Sequence, residues 1–139
     1  MSPTALVPMP PGERMPLHVG VTLPSRPTRR HQPRYFTLLV NEPRVAHVGD
    51  ALDDFGDTAA VMTLADVVIA VDTSVAHLAG AMGRPVWILL PHSPDWRWDI
   101  EGETSRWYPS ARLFRQAAPG QWDQVIARVG AELGKLAAR

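Results

Sequence analysis

Residues 66–90 read DVVIAVDTSVAHLAGAMGRPVWILL, and this stretch decides the fold. Val67, Val68, Ile69, Ala70 and Val71 form an apolar, β-branched run that stops at Asp72-Thr73-Ser74. An Ala-rich segment follows and Gly83 ends it; Pro85 then leads into a second apolar run, Val86 to Leu90. The pattern predicts one β-α-β unit with its polar residues gathered where the first strand meets the helix. In open parallel sheets, ligands bind at the carboxyl ends of strands. A helix N-terminus at that place offers free N–H groups and the positive end of a dipole to an anion.

The rest of the chain fits a soluble α/β domain. Its 139 residues suffice for one core and are too few for two domains of ordinary size. A hydrophobic content of 45% with 20% charged residues is globular. Fourteen basic and fourteen acidic residues cancel, so nothing draws the molecule as a whole toward nucleic acid or an anionic membrane. Cysteine is absent, which removes disulfides, thiolate metal sites and cysteine nucleophiles together. No apolar run approaches the roughly twenty residues that span a bilayer, and the N-terminus lacks the features of a signal sequence. The expected location is cytoplasmic.

Outward from the central unit, residues 1–16 are proline-rich and aperiodic and are expected to form a flexible tail, with a single domain over 17–139. Leu17 to Val21 predicts a short strand, and Tyr35 to Val40 (YFTLLV) a buried one. Between them Pro24, Pro27 and Pro33 break any helix. Parallel neighbours need a crossover, so the first third of the sheet lacks an obvious connection. Residues 50–57 read as an acidic turn, and Asp57-Thr58 as the opening of a helix to about Leu64. Residues 91–110 form a loop carrying Trp96, Trp98, Trp107 and Tyr108. A strand over 112–115 and a final helix complete the chain. That helix places Trp122, Val125, Ile126, Val129, Leu133 and Leu136 on one face. Alternating strands and helices predict an α/β fold with a Rossmann-like parallel sheet and flanking helices.

Several side chains stand where such a sheet binds ligands. Asp72, Thr73 and Ser74 are preferred helix caps, and they equally suit a loop that presents amides to an anion. His77 follows Thr73 by one helical turn, so both project from one side of the helix; a phosphate neighbour would favour its cationic form. His92 sits just beyond the second apolar run, at another strand's carboxyl end. Arg97 has the fork to bind a diphosphate or carboxylate. The loop tryptophans suit either stacking on a base or sugar or plugging the loop onto the domain, with plugging the weightier reading. Ala79, Gly80 and Ala81 are expected to be small because helix and sheet pack closely. Arg26, Arg29, Arg30 and His31 form a basic run read as a solvated loop. No metal-ligand spacing occurs and no cofactor is expected. No G-x-G-x-x-G follows a predicted strand, which excludes a dinucleotide-binding dehydrogenase domain.

The chain resembles the glycosyltransferase family 9, or heptosyltransferase-like, group. It is similar to the C-terminal part of bacterial proteins that join tetratricopeptide repeats to such a domain. The resemblance rests on Asp57-Thr58-Ala59-Ala60, Ala65-Asp66 and Val71-Asp72-Thr73-Ser74-Val75-Ala76-His77-Leu78-Ala79-Gly80-Ala81. It continues through Gly83-Arg84-Pro85-Val86-Trp87, Leu89-Leu90-Pro91, Asp95-Trp96-Arg97-Trp98, Trp107-Tyr108-Pro109-Ser110 and Arg112-Leu113-Phe114-Arg115-Gln116. Together with the final helix these cover about residues 50–136. The resemblance implies the C-terminal half of a GT-B fold, in which two Rossmann-like domains face each other across a cleft and this one binds the nucleotide-sugar donor. By that resemblance Thr73 and Ser74 donate hydrogen bonds to the donor diphosphate, Asp72 fixes sugar hydroxyls or the loop, and His77 occupies a position where the family keeps a histidine.

The function so implied is transfer of a sugar from a nucleoside-diphosphate sugar once an acceptor domain completes the site. The expected partners are that donor together with an acceptor domain or a second copy of the chain. A general base is not identifiable in the sequence. The alternative is a catalytically inactive remnant that acts as a structural or oligomerising module.

Overall fold

The structure is a computed structural model and describes residues 19–21, 48 and 51–139. The N-terminal tail, the basic run and the strand expected over 35–40 lie outside the described residues. Four strands form one parallel sheet in sequence order: β1 (Val19–Val21), β2 (Val67–Val71), β3 (Val86–Leu90) and β4 (Ala111–Arg115). Among the described residues three helices accompany them: α1 (Phe55–Leu64), α2 (Ser74–Ala81) and α3 (Trp122–Ala137). The α/β, Rossmann-like class read from the sequence is the class observed.

The central strands are apolar on both faces because both faces are covered. On one side Val68, Ala70, Val86, Ile88, Leu90 and Leu113 pack with Ala76 and Ala79 of α2, Met62 of α1 and Trp98 of the aromatic loop. On the other side Val67, Ile69, Leu89 and Phe114 meet Val125 and Val129 of α3. Register fixes the site. Val71 pairs with Leu89 and Leu90 with Arg115, so the carboxyl ends of β2, β3 and β4 lie side by side. At about 4.8 Å per strand spacing, the three ends span roughly 10 Å.

Local chemistry sets the element boundaries; two of them and the buried face of one helix differ from expectation. Helix α1 begins at Phe55, inside the segment read as a turn. Asp54 is its N-cap and accepts from the Asp57 N–H at 2.9 Å, so the acidic residues start the helix rather than precede it. Strand β4 begins at Ala111, one residue early, because Ala111 is buried among the sheet residues. On α3 the buried stripe is Val125 and Val129, with Leu133 and Leu136 packed against it. Ile126 and Trp122 turn toward solvent, because a helix against a sheet buries a stripe narrower than this apolar face.

Helix α2 ends as its glycine predicts. Gly83 has φ +66, its N–H donates to the Gly80 carbonyl, and the Arg84 N–H donates to the Ala79 carbonyl at 2.9 Å. This pair of bonds is a Schellman motif, which closes the helix before Pro85 opens β3. The Arg84 guanidinium then donates to the carbonyls of Thr63 and Ala65, at 3.2 and 2.8 Å, satisfying the open end of α1.

The connection from β3 to β4 is not a helix. It is the aromatic loop, with one 3-10 turn at Trp96–Trp98. Its later part returns along β4, where Thr104 bridges Arg112 antiparallel and the Leu113 N–H donates to the Glu103 carbonyl at 2.8 Å. Arg112 ion-pairs with Glu103 and Glu132, and Arg128 reaches Glu103, so loop, strand and α3 share one network. Hydrogen bonds from Lys135 and Arg112 hold the Glu132 carboxyl well below its ordinary value, at about 2. Its folded form is thus favoured when ionised. The stabilisation is complete above the ordinary value of 4.5 and is lost as pH falls toward about 2. Glu132→Gln is therefore expected to lower the midpoint of thermal unfolding at pH 6 and to converge with the unaltered chain near pH 2. Parallel curves at all pH values would remove Glu132 from this account.

Among the described residues no helix is long and apolar enough to cross a membrane.

Candidate functional site

The polar loop lies where the sequence placed it, between the end of β2 and the start of α2. Thr73 is the N-cap of α2 by backbone geometry, but its side chain makes no capping bond. Its hydroxyl instead lies 3.4 Å from the Val71 carbonyl. Capping was the structural alternative for this loop, and the side chain of Thr73 does not perform it. The first-turn amides of α2 are thus not occupied by the N-cap side chain.

His77 stands one turn further on, half-buried and held on three sides. Its Nδ1 is 2.9 Å from the Tyr108 hydroxyl, its Nε2 is 3.5 Å from the Asp72 carboxylate, and its ring stacks on Trp98 at 5.1 Å. With the carboxylate facing Nε2, the neutral ring keeps its proton there. Nδ1 then accepts from the Tyr108 hydroxyl. Three side chains from outside its helix hold it: Tyr108, Asp72 and Trp98.

Tyr108 is the residue that sequence reading missed. It lies 31 positions from His77, and no local pattern joins them. Gly80 is its counterpart. A Cβ built at Gly80 would stand 2.4 Å from the Tyr108 ring. The small residue is required by this aromatic loop, not by the sheet as expected. Ala81 is exposed, so close packing does not explain it either.

The loop tryptophans divide into two roles. Trp98 is only 1% exposed and plugs the loop into the core. Trp96 and Trp107 are 70% and 58% exposed and meet edge to face at 6.2 Å. Arg97 turns back on its own turn: its guanidinium lies 2.7 Å from the Asp95 carboxylate and 5.1 Å over the Trp96 ring. The guanidinium expected to reach a diphosphate is here paired with Asp95 at the surface. His77, Trp96, Arg97, Trp107 and Tyr108 line a cleft of about 140 Å³.

His92 does not join this group through any side-chain contact. Its N–H donates to the side-chain oxygen of Gln116 at 3.1 Å, and its ring lies 3.4 Å from the Gln116 carbonyl. Gln116 itself is buried, with its amide nitrogen unpaired. Beside it, Arg115 donates to the Trp98 carbonyl at 2.9 Å and so anchors the aromatic loop to β4. Burial pushes the Arg115 guanidinium below its ordinary pKa, and Asp99 acts in the opposite direction. Both Arg115 and Gln116 could have drawn attention in the sequence, as polar residues closing a buried strand.

A parallel sheet with its polar groups at the strand ends defines a Rossmann-like α/β domain. Within it, residues 53–100 match the profile described as Glycosyltransferase family 9 (heptosyltransferase). The matched segment includes the β2–α2 loop and the Trp96–Trp98 turn. Over 90 residues the chain is 36% identical to Protein FlbA of Caulobacter vibrioides, covering 64% of this chain and 15% of that protein. It thus spans a small part of the length of that relative. No solved structure matches the chain significantly.

Proposed function

We propose that this chain is the nucleotide-sugar donor-binding domain of a heptosyltransferase-like glycosyltransferase, corresponding to the C-terminal half of a GT-B fold. The observation that carries this reading is the Asp72–Ser74 loop at the carboxyl end of β2, whose N-cap side chain leaves the α2 amides uncapped, inside the segment that matches the family. The Ser74 and Val75 amides and the hydroxyls of Thr73 and Ser74 would hold the diphosphate, while the Ala76 amide already donates to the Thr73 carbonyl. His77 would place a positive or donor edge beside it, with Asp72 orienting the ring. In the reaction an acceptor hydroxyl displaces the nucleoside diphosphate at the anomeric carbon. This domain stabilises the charge that develops on the leaving group, and a second domain or partner supplies the acceptor and the base.

Calorimetric titration with UDP, GDP and ADP, and with their sugars, tests the reading. Thr73→Ala and His77→Ala are each expected to weaken diphosphate affinity by roughly tenfold or more, as loss of a hydrogen bond to a charged group does. The fold should persist, since neither side chain belongs to the buried core. Unchanged affinity in both variants would return these residues to structural roles. Absence of binding by every nucleotide to a folded chain would remove the donor site altogether.

A further inference from the structure

The Tyr108 hydroxyl joins two parts of the site that are far apart in the chain. It lies 2.9 Å from Nδ1 of His77, whose Nε2 faces the Asp72 carboxylate at 3.5 Å. Both His77 and Tyr108 line the cleft shared with Trp96 and Trp107. The tyrosine itself is fixed. Its N–H donates to the Ser105 hydroxyl oxygen at 3.3 Å, and its ring abuts Gly80 so closely that no Cβ fits between them. The rings of Trp98 and His77 flank it at 6.2 and 5.7 Å. With the ring held, the hydroxyl proton keeps its freedom to rotate. Conjugation keeps a phenolic O–H in the plane of its ring, so the proton has two positions half a turn apart. One points toward the imidazole and the other away from it.

We propose that Tyr108 is a positioning residue that converts the charge on His77 into the hydrogen-bond polarity of the cleft, with an anion at the Asp72–Ser74 loop setting that charge. In the neutral ring Nε2 carries the proton toward Asp72 and Nδ1 accepts from the Tyr108 hydroxyl, so the phenol offers the cleft an acceptor. The cationic ring carries N–H at both nitrogens. Nδ1 must then donate to the Tyr108 oxygen, and the hydroxyl proton turns half a turn away. The cleft gains a donor where it had an acceptor. The proton that His77 takes up comes from solvent, to which its side chain is 33% exposed. The charged groups facing His77 are Asp72, from the loop before α2, and Arg97 with its partner Asp95, from the aromatic loop. A bound phosphate adds negative charge on the Asp72 side and draws a proton onto the ring. The charge-assisted bond from the cation to the phenol is stronger than the neutral bond it replaces, so Tyr108 favours the anion-bound state. The part played by the anion rests on the donor-domain reading; the reversal of the hydroxyl does not.

Nuclear magnetic resonance on the full chain, with carbon-13 in the tyrosine rings and nitrogen-15 in the histidines, tests this relay. The chain has two tyrosines, so Tyr35 is an internal reference for the ζ-carbon of Tyr108, which reports whether the phenol donates or accepts. As pH falls from about 8.5 to about 5, a range that spans histidine titration, that resonance should move in step with the imidazole nitrogens of His77. At the alkaline end, whichever of UDP, GDP and ADP binds should move it in the same direction. Calorimetry in buffers of different ionisation enthalpy should then show more proton uptake than in His77→Gln, which retains whatever the nucleotide itself exchanges. Tyr108→Phe keeps the ring against Gly80 and should weaken nucleotide affinity about fivefold while reducing the uptake. A Tyr108 resonance that ignores the titration of His77, or keeps its response in His77→Gln, overturns the inference. Nucleotide binding that leaves the resonance in place at the alkaline end overturns it as well. If the pH response is present and no nucleotide binds, the donor-domain reading fails while the relay stands.

Discussion

Gly80→Ala is expected to destabilise the domain by about 3 kcal/mol, although alanine is the better helix former by about 1 kcal/mol. The two effects have opposite signs, which makes the outcome diagnostic. Gly80 lies within α2 and is buried, and the new Cβ would stand 2.4, 2.7 and 2.8 Å from three atoms of the Tyr108 ring. Those atoms are the stem of the ring rather than the tip of a flexible chain, so the ring itself must move. When it moves, its hydroxyl leaves Nδ1 of His77. The variant should therefore also change the tautomer balance of His77, visible in its imidazole nitrogen shifts. Urea denaturation of Gly80→Ala, Tyr108→Ala and the double variant supplies the cycle. The double variant should be more stable than the sum of the single losses by about 1 kcal/mol or more. Strict additivity would mean that the close approach is not the cause.

Trp98→Ala has the other large expected effect, a loss of about 3–5 kcal/mol. For a domain whose total stability lies in the ordinary range of about 5–15 kcal/mol, that is a large fraction. Trp98 joins sheet residues to the aromatic loop and stacks on His77 at 5.1 Å. Its removal both empties the core beneath the loop and frees one side of the histidine. Trp98→Phe should cost much less. It keeps most of the apolar volume, and it deletes an indole N–H that is buried without a partner and therefore unfavourable where it stands. Chemical denaturation of the two variants decides: equal losses would argue that the indole contributes more than volume.

How much was legible in the sequence depended on the distance over which each signal acts. Strand β2, helix α2 and strand β3 could be read because Val67 to Val71, Gly83 and Pro85 carry their information locally. The loop Asp72–Ser74 followed from the same stretch. The helix start at Phe55 is hidden because Asp50, Asp53, Asp54 and Asp57 together look like a turn, and only the Asp54 side-chain bond reveals a cap. The roles of Trp96, Trp98 and Trp107 were not separable, since one residue type serves both plug and platform. The assignment of Gly80 to sheet packing failed for a related reason: its neighbour comes from the far side of a long loop. Tyr108 shows the limit most clearly. Its contact with His77 exists only after the sheet has brought β4 beside β3 and folded the loop over α2.

The return of residues 103–104 along β4 has an architectural consequence. An outer strand normally offers a row of unpaired backbone groups that invites another strand to add. Here the chain's own loop occupies part of that row, and Arg112 fastens it to Glu103. The sheet's β4 flank is therefore partly covered, and its growth has a preferred direction. Any strand that enlarges it, from this polypeptide or a neighbour, is to be sought beyond β1.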